Sequence, residues 1–205
     1  QKMVIDCSTT SERAAVYVDY ENGIHKVYIG GEFIGNINAP KILQLSISLS
    51  VGVMVSLEMD VKTYIEKIDA LEKTDHRQTI IQGTMGQTII DNSFNSNPVS
   101  CISSLEVLDE IETEGKKYLI TPGMVELGPE QFSYNYEFAH IASEVIDEAL
   151  IVGFTNKGPL MLAFDENKIP VKYFKNRDLA VSYLNSVVKD NDVVLFENDL
   201  PDHHP

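Results

Sequence analysis

The sequence is short of cysteines and of basic residues. Its 205 residues include two cysteines and 16 lysines and arginines, against 31 aspartates and glutamates, so the formal net charge is −15 at pH 7. Two cysteines cannot form a disulfide framework, and a reduced, cytoplasmic protein is the simplest interpretation. Nucleic acid is not an expected partner, because the neutralisation of phosphates needs clustered lysine and arginine.

Long apolar runs and metal-ligand patterns are missing as well. Hydrophobic residues make up 43% of the chain, which is ample for a core, but no uninterrupted apolar run is long enough to span a bilayer. We therefore predict no membrane insertion. The five histidines show no metal-ligand spacing with the cysteines. Strand-like residues directly follow Gln1 and Lys2, and we expect the chain to be part of a longer polypeptide.

Three chemical motifs are also lacking. The chain has no Gly-x-Ser-x-Gly nucleophile turn, no dinucleotide-binding Gly-x-Gly-x-x-Gly and no Gly-x-x-x-x-Gly-Lys-Ser/Thr phosphate loop. We therefore assign no catalytic residue to it.

Residues 1–74 combine a hairpin pattern with helical patterns. Residues 13–20 and 24–29 alternate apolar and polar around Asn22-Gly23, which is a good hairpin signal. Residues 60–71 show helical spacing behind Asp60, a candidate N-cap. Residues 41–57 are ambiguous, because their period of two favours a strand and their length favours a buried helix.

From residue 75 onward, predicted strands and helices alternate. The pattern changes around His76 and Arg77, and we place a domain boundary between residues 74 and 75. Strands are predicted at 79–82, 87–90, 117–120, 149–152, 171–174 and 193–196, and helices at 98–111, 132–146, 159–164 and 178–188. This alternation predicts an α/β fold with a mostly parallel sheet and helices on both faces.

The polar stretch 91–98 follows the predicted strand that ends at Ile90. Pro98 begins a helix with one apolar face at positions 99, 102, 105, 108 and 111, and Asn97 suits its N-cap. A loop between a strand and a helix start is where α/β proteins hold nucleotides. Asp91 is able to accept from ribose hydroxyls, and Asn95 and Asn97 suit an adenine or ribose edge. The same composition is equally typical of a turn that caps its own helix.

Three further residues are site candidates, each with a plainer alternative. Arg77 is suited to a phosphate or ribose in a cleft between domains, although an exposed linker has the same pattern. Glu126 follows a predicted strand and suits a substrate amine or a loop contact, but a carboxylate also suits a helix start. Glu197 follows the last strand in an acidic run that is able to bind a cation or amine, or simply to be a solvated tail.

Taken together and in order, these pieces resemble the Mur ligase family, and within it the branch that adds D-alanyl-D-alanine to UDP-N-acetylmuramoyl-tripeptide. Residues 91–98 resemble its Asp-x-Tyr-Asn-Ala-Asn-Pro motif, His76-Arg77 a His-Arg pair that precedes it, and residues 122–128 its Gly-Asp-Met-x-Glu-Leu-Gly segment. Residues 35–39 resemble a Gly/Asn-rich stretch at the end of the family's central domain. The similarity covers nearly the whole chain.

The resemblance implies a domain assignment and a reaction. Residues 1–74 would be the tail of a central ATPase domain, with residues 41–57 helical, and residues 75–205 a Rossmann-like C-terminal domain. The family forms an amide bond with ATP and Mg²⁺ through an acyl phosphate. Its substrates are a UDP-muramoyl-peptide and an amino acid or dipeptide. The family's phosphate loop and magnesium ligands belong to the central domain, so in this protein they would lie upstream of residue 1. Arg77, Asp91, Asn95 and Asn97 would contact ATP, while Glu126 and Glu197 would face the acceptor or hold a loop.

The chain departs from the family pattern in three places. Phe94 replaces a tyrosine, Gly123 stands where the family has the aspartate of Gly-Asp-Met, and Glu197-Asn198-Asp199 replaces Lys-Gly-Ser. A Mur-type ligase with another amine acceptor is therefore one alternative. A non-catalytic nucleotide-binding or interaction module of the same fold is another. A folylpolyglutamate-type ligase shares the fold, but the Asn-x-Asn-Pro loop argues against it.

Overall fold

The computed structural model describes residues 4–39, 41–68 and 78–198, and the chain divides into two compact units, 1–74 and 75–205. The first unit has a four-stranded sheet in the order β1 (Cys7–Ser8), β2 (Val16–Glu21), β3 (Ile24–Ile29) and β4 (Glu32–Ile37). Strand β1 pairs parallel with β2, and the other pairs are antiparallel. Asn22 and Gly23 have φ of 53° and 82°, as a tight hairpin turn requires, which confirms the predicted hairpin.

Two helices complete the first unit. A 3₁₀ turn (Lys41–Leu43) leads into α1 (Gln44–Ser56), and α2 (Val61–Ile68) follows. The ambiguous stretch is thus helical. Its strand-like period arises because α1 is apolar on two faces: Ile47 and Val51 are buried, whereas Leu45 and Leu49 are about half exposed. The predicted cap of α2 is confirmed by Asp60, which accepts from the Thr63 backbone N–H at 3.3 Å and hydroxyl at 2.6 Å.

The second unit has a six-stranded sheet in the order β5-β6-β10-β7-β8-β9. Its strands are β5 (Thr79–Gln82), β6 (Thr88–Asn92), β7 (Lys117–Thr121), β8 (Glu148–Val152), β9 (Val171–Phe174) and β10 (Val193–Glu197). Only the β5–β6 pair in this sheet is antiparallel. The connecting helices are α3 (Pro98–Glu110), α4 (Gln131–Ala142), α5 (Lys157–Glu166) and α6 (Arg177–Val187). The predicted α/β fold with a mostly parallel sheet is confirmed.

Helices cover both faces of this sheet. Helices α3, α4 and α5 pack on one face around fully buried residues such as Leu119 and Phe138. Helix α6 packs on the other face against Ile120 and Leu150. Strands with buried side chains on both faces read as nearly continuous apolar runs, which is why they were predictable. No helix among the described residues is both long and apolar enough to cross a bilayer.

The buried face of α3 differs from the predicted one. Leu105 and Leu108 are buried as predicted, but Val99 is 75% exposed, and Cys101 and Ser104 take the inner positions of the first turns. The reason is that the start of α3 faces a buried carboxylate rather than an apolar core. Small polar side chains that donate hydrogen bonds are therefore favoured there.

We predict that Leu108→Ala lowers the free energy of unfolding of the second unit by about 2–5 kcal/mol, because it leaves a cavity in the core. Val99→Ala, on the same helix, is the control and should change it by less than about 0.5 kcal/mol. Denaturant titration with hydrogen exchange of the α3 amides measures both values. Equal effects of the two substitutions would contradict the observed face.

Candidate functional site

The candidate site lies at the carboxyl ends of three adjacent parallel strands. In the register of β6 and β10, Asp91 is opposite Phe196 and Asn92 is opposite Glu197. Strand β7 lies on the other side of β10 and ends at Thr121. Two loops leave this edge: loop A (residues 93–97) after β6 and loop B (residues 122–127) after β7. Ligands of open α/β sheets bind at such an edge.

Loop A ends in a reciprocal cap of α3. The Ser100 backbone N–H donates to Asn97 Oδ1 at 3.0 Å, and the Asn97 backbone N–H donates to Ser100 Oγ at 2.9 Å. The prediction of Asn97 as N-cap is confirmed, and Pro98 stands at the first helical position. The cap uses Oδ1 of Asn97 and does not use its amide NH₂ group. One oxygen of Asn97 is therefore committed to structure, as the self-capping alternative predicts.

Asp91 closes the start of loop A. Its Oδ1 accepts from the Ser93 backbone N–H at 3.1 Å and from the Ser93 hydroxyl at 2.6 Å, which is an Asx turn. The tip of the loop faces solvent, with Asn95 exposed and the Phe94 ring 49% exposed. The polypeptide from Asp91 to Asn97 is thus held by internal turns. It exposes the Asn95 amide and the Phe94 ring close in sequence to the Asp91 carboxylate.

Glu197 is fully buried and collects hydrogen bonds from four side chains. Asn92 Nδ2 donates to both of its carboxylate oxygens at 3.0 Å. The hydroxyl of Ser96 donates at 2.6 Å and the thiol of Cys101 at 3.1 Å. Ser104 donates to Oε2. We call these five residues the Glu197 cluster. It ties β6, loop A and α3 to the end of β10.

This burial corrects two of the interpretations offered for Glu197. With no exposed surface, its carboxylate is neither a solvated tail nor a group that an acceptor amine is able to reach. The remaining alternative, a carboxylate that holds a loop, agrees with its contacts. Burial raises the pKa of Glu197, and the hydrogen bonds from Ser104, Ser96 and Asn92 oppose that rise. Burial and the neighbouring carboxylate likewise raise the pKa of the Cys101 thiol.

Loop B is held by two buried asparagines. Asn135 on α4 accepts from the Met124 backbone N–H at 2.7 Å and donates to the Met124 carbonyl at 2.9 Å. Asn156, just before α5, donates to the carbonyls of Pro122 at 3.0 Å and Met124 at 2.9 Å. An asparagine amide both donates and accepts, so it can replace a strand neighbour for irregular backbone.

Gly123 lies close to both of these asparagines. Its φ is +76°, and an added Cβ would lie 2.8 Å from Asn156 Cβ and closer still to Asn135 Oδ1. The family's aspartate therefore does not fit this position without a shift of the loop. The departure at Gly123 has a local structural reason.

Glu126 is exposed on loop B with φ of +63°. It precedes the 3₁₀ turn (Gly128–Glu130) by two residues and is not part of α4. Its position agrees with a side chain that faces solvent at the same sheet edge as loop A.

Asn198 was not among the predicted site residues, although it lies between the two loops. It is 4% exposed, and its amide contacts both Ser96 of loop A and Gly123 of loop B. Asn92, Asn135 and Asn156 were also missed. The available signal was a polar residue at the end of an apolar strand for Asn92 and directly after one for Asn198, whereas nothing in a helical pattern marks Asn135.

Arg77 lies outside the described residues. Among the residues that the structure does describe, no group of three or more histidine, cysteine, aspartate or glutamate side chains is arranged to hold a metal ion.

Comparison with known proteins gives consistent matches. The family model described as Mur ligase, glutamate ligase domain, matches residues 76–197. The UDP-N-acetylmuramoyl-tripeptide–D-alanyl-D-alanine ligase of Bacillus subtilis (strain 168) is 23% identical over 207 residues, covering 93% of this chain and 44% of that protein.

Two solved structures have the same fold. MurF ligase from Thermotoga maritima, in complex with ADP, has a TM-score of 0.68 at 21% identity and covers 90% of this chain and 43% of that one. MurF from Acinetobacter baumannii has a TM-score of 0.72 at 14% identity, covering 93% and 43%. The chain therefore spans less than half the length of these relatives.

We predict that Gly123→Ala destabilises the second unit by about 1–3 kcal/mol, because a side chain is strained at this φ and crowds Asn135 and Asn156. Gly158→Ala is the control, since an added methyl there meets no atom within 4 Å. Denaturant titration of both variants measures the difference. A neutral Gly123→Ala would contradict the tight fit of loop B.

We also predict a pH signature for Glu197. Because its folded pKa is raised above the ordinary value of 4.5, the folded state keeps a proton that the unfolded state has lost. The stabilisation that comes from the protonated carboxyl of Glu197 is fully present below pH 4.5. It is lost as the pH rises through the pKa of the folded state. Glutamine does not titrate. The free energy of unfolding of the native protein, relative to Glu197→Gln, should therefore fall as the pH rises.

Denaturant titrations at a series of pH values test this signature. Ser104→Ala is the control, since it removes a donor and keeps the titrating carboxyl, so the pH dependence relative to Glu197→Gln should persist. A difference that is flat or increases with pH would contradict a raised pKa for Glu197 in the folded protein.

Proposed function

The chain belongs to the Mur ligase family through its glutamate ligase domain, and we propose that it is the C-terminal part of an ATP-dependent amide ligase of peptidoglycan precursor synthesis. The observation that carries the proposal is the position of loop A. This polar loop joins a parallel strand to a capped helix at the carboxyl edge of the sheet, within the domain that the family model matches. In this assignment residues 75–205 are the C-terminal domain and residues 1–74 the tail of the central domain.

The exposed groups of loop A suit the adenosine part of ATP. The Asn95 amide is able to donate and accept, as an adenine edge requires, and the exposed Phe94 ring offers a flat apolar surface beside it. Asp91 would orient the ribose, and the NH₂ group of Asn97 would add a donor. We propose that Arg77, outside the described residues, contacts the ribose or a phosphate. The related MurF structure that contains ADP supports a nucleotide ligand for this class of protein.

The residues described here supply binding and orientation. ATP, when bound with Mg²⁺, supplies the phosphoryl group that activates the substrate carboxylate, and we expect the phosphate and metal contacts to come mainly from outside residues 1–205. The role of this chain would be to hold adenosine against loop A and to bring the amine acceptor into position, which is a proximity effect. The 205 residues alone would then be inactive.

We propose a UDP-muramoyl-peptide and an amino acid or dipeptide, such as D-Ala-D-Ala, as the two substrates to be joined. The name of the Bacillus subtilis relative supports this pair. One observation favours a different amine: Glu197, in place of a family lysine, is buried and offers the acceptor no charge. Glu126 is the exposed carboxylate at this edge that we assign to the acceptor side.

Phosphate release by the complete polypeptide, with UDP-muramoyl-peptide and a panel of amino acids and dipeptides, tests the proposal. Release that depends on both the muramoyl peptide and one amine supports the ligase. Absence of release with every amine, from protein that still binds ATP, would favour a non-catalytic nucleotide-binding module instead.

In that complete protein we predict that Asp91→Ala and Arg77→Ala each raise the KM for ATP about tenfold, which corresponds to about 1.4 kcal/mol and to a lost hydrogen bond with a charged group. Asp165→Ala is the matched control, because this exposed carboxylate lies on α5. Circular dichroism checks that each variant is folded. An unchanged KM in both variants would remove Asp91 and Arg77 from the nucleotide site.

A further inference from the structure

Asn198 has a backbone conformation that costs free energy for a residue with a side chain. It directly follows β10, is 4% exposed and has φ of +68°, in the left-handed region where glycine is favoured and asparagine is tolerated. Its backbone N–H donates to the Asn92 carbonyl at 3.0 Å, which continues the pairing of β10 with β6 by one residue. The Lys-Gly-Ser pattern of the family has glycine here, so the backbone shape alone does not explain an asparagine.

The side chain of Asn198 supplies the explanation. Its Oδ1 accepts from the Ser96 backbone N–H of loop A at 3.0 Å. Its Nδ2 donates to the Gly123 carbonyl of loop B at 2.6 Å. The two contacts use opposite ends of one amide, and both partners are backbone groups. A glycine would keep the turn and lose both contacts, and an aspartate would keep only the first.

Each loop also has contacts that do not involve Asn198. Loop A is held by the Ser96 contact to Glu197 and by the cap at Asn97. Loop B is held by Asn135 and Asn156. A rigid amide between two loops that are each held elsewhere sets the spacing between them.

We propose that Asn198 is a positioning residue that holds loop A and loop B at one fixed spacing, and so sets the exposed groups of loop A relative to Glu126 of loop B. The identity of the two ligands, a nucleotide at loop A and an amine acceptor at loop B, rests on the proposed function. The mechanical coupling of the loops rests on the contacts of Asn198 alone.

Hydrogen exchange of the complete polypeptide without ligands tests the coupling. Asn198→Asp keeps the acceptor for Ser96 and replaces the donor to Gly123 by a carboxylate oxygen. We expect amide exchange in loop B to become about tenfold faster while exchange in loop A stays within twofold. Asn198→Gly removes both contacts at an unstrained φ, and exchange should become faster in both loops.

Asn176→Asp is the matched control, because Asn176 accepts from the Leu179 backbone N–H as the cap of α6 and an aspartate retains that contact. It should leave both loops unchanged. Unchanged exchange in Asn198→Gly would overturn the proposal, as would faster exchange of both loops to the same extent in Asn198→Asp. Protected amides in β10 and α3 confirm that each variant is folded.

Kinetics of the same variants separate this proposal from the proposed function. In the active complete protein, Asn198→Asp should leave the KM for ATP within twofold and raise the acceptor KM or lower kcat about tenfold. Equal changes in the KM for ATP and for the acceptor would overturn the positioning role. If the protein shows no ligase activity at all, the proposed function fails, and the hydrogen-exchange result still decides whether the loops are coupled.

Discussion

A carboxylate without solvent must be satisfied by its neighbours, and this requirement determines the carboxyl edge of the second unit. Glu197 ends the strand β10 and has no exposed surface, so donors have to reach it from β6, loop A and α3. Asn92, Ser96, Cys101 and Ser104 supply them. An unsatisfied buried charge costs several kcal/mol, whereas a fully bonded one fixes its surroundings in a single arrangement.

Contacts at this edge determine the conformations of loops A and B. Because Ser96 is bonded to Glu197, loop A lies against β10 and its outer residues, Phe94 and Asn95, face solvent. Loop B is held differently: the amides of Asn135 on α4 and Asn156 just before α5 bond its backbone in place of strand partners. The ligand-facing groups are thus carried by irregular backbone, but each loop is tied to a regular element of the fold.

Much of this fold was predictable from the sequence, for physical reasons that differ by element. The parallel strands are buried on both faces, so their apolar runs are easy to recognise. The caps at Asp60 and Asn97 follow from local chemistry. Residues 41–57 needed the family resemblance, because a helix that is apolar on two faces has the period of a strand. Contacts such as that of Glu197 with Ser96, 101 residues apart, have no local signature. The ligand contacts assigned to Arg77, Asp91, Asn95, Asn97 and Glu126 stay predictions.

The buried thiol of Cys101 gives the Glu197 cluster a chemical consequence. Thiol reagents and oxidants attack the thiolate, and both burial and the adjacent carboxylate keep Cys101 protonated and out of their reach. Because Cys101 is fully buried, a reagent reaches its sulfur only after this region opens locally. The rate at which an alkylating reagent labels Cys101 therefore measures how often the Glu197 cluster opens, and that cluster also holds Ser96 of loop A. No artificial label has to be introduced for this measurement.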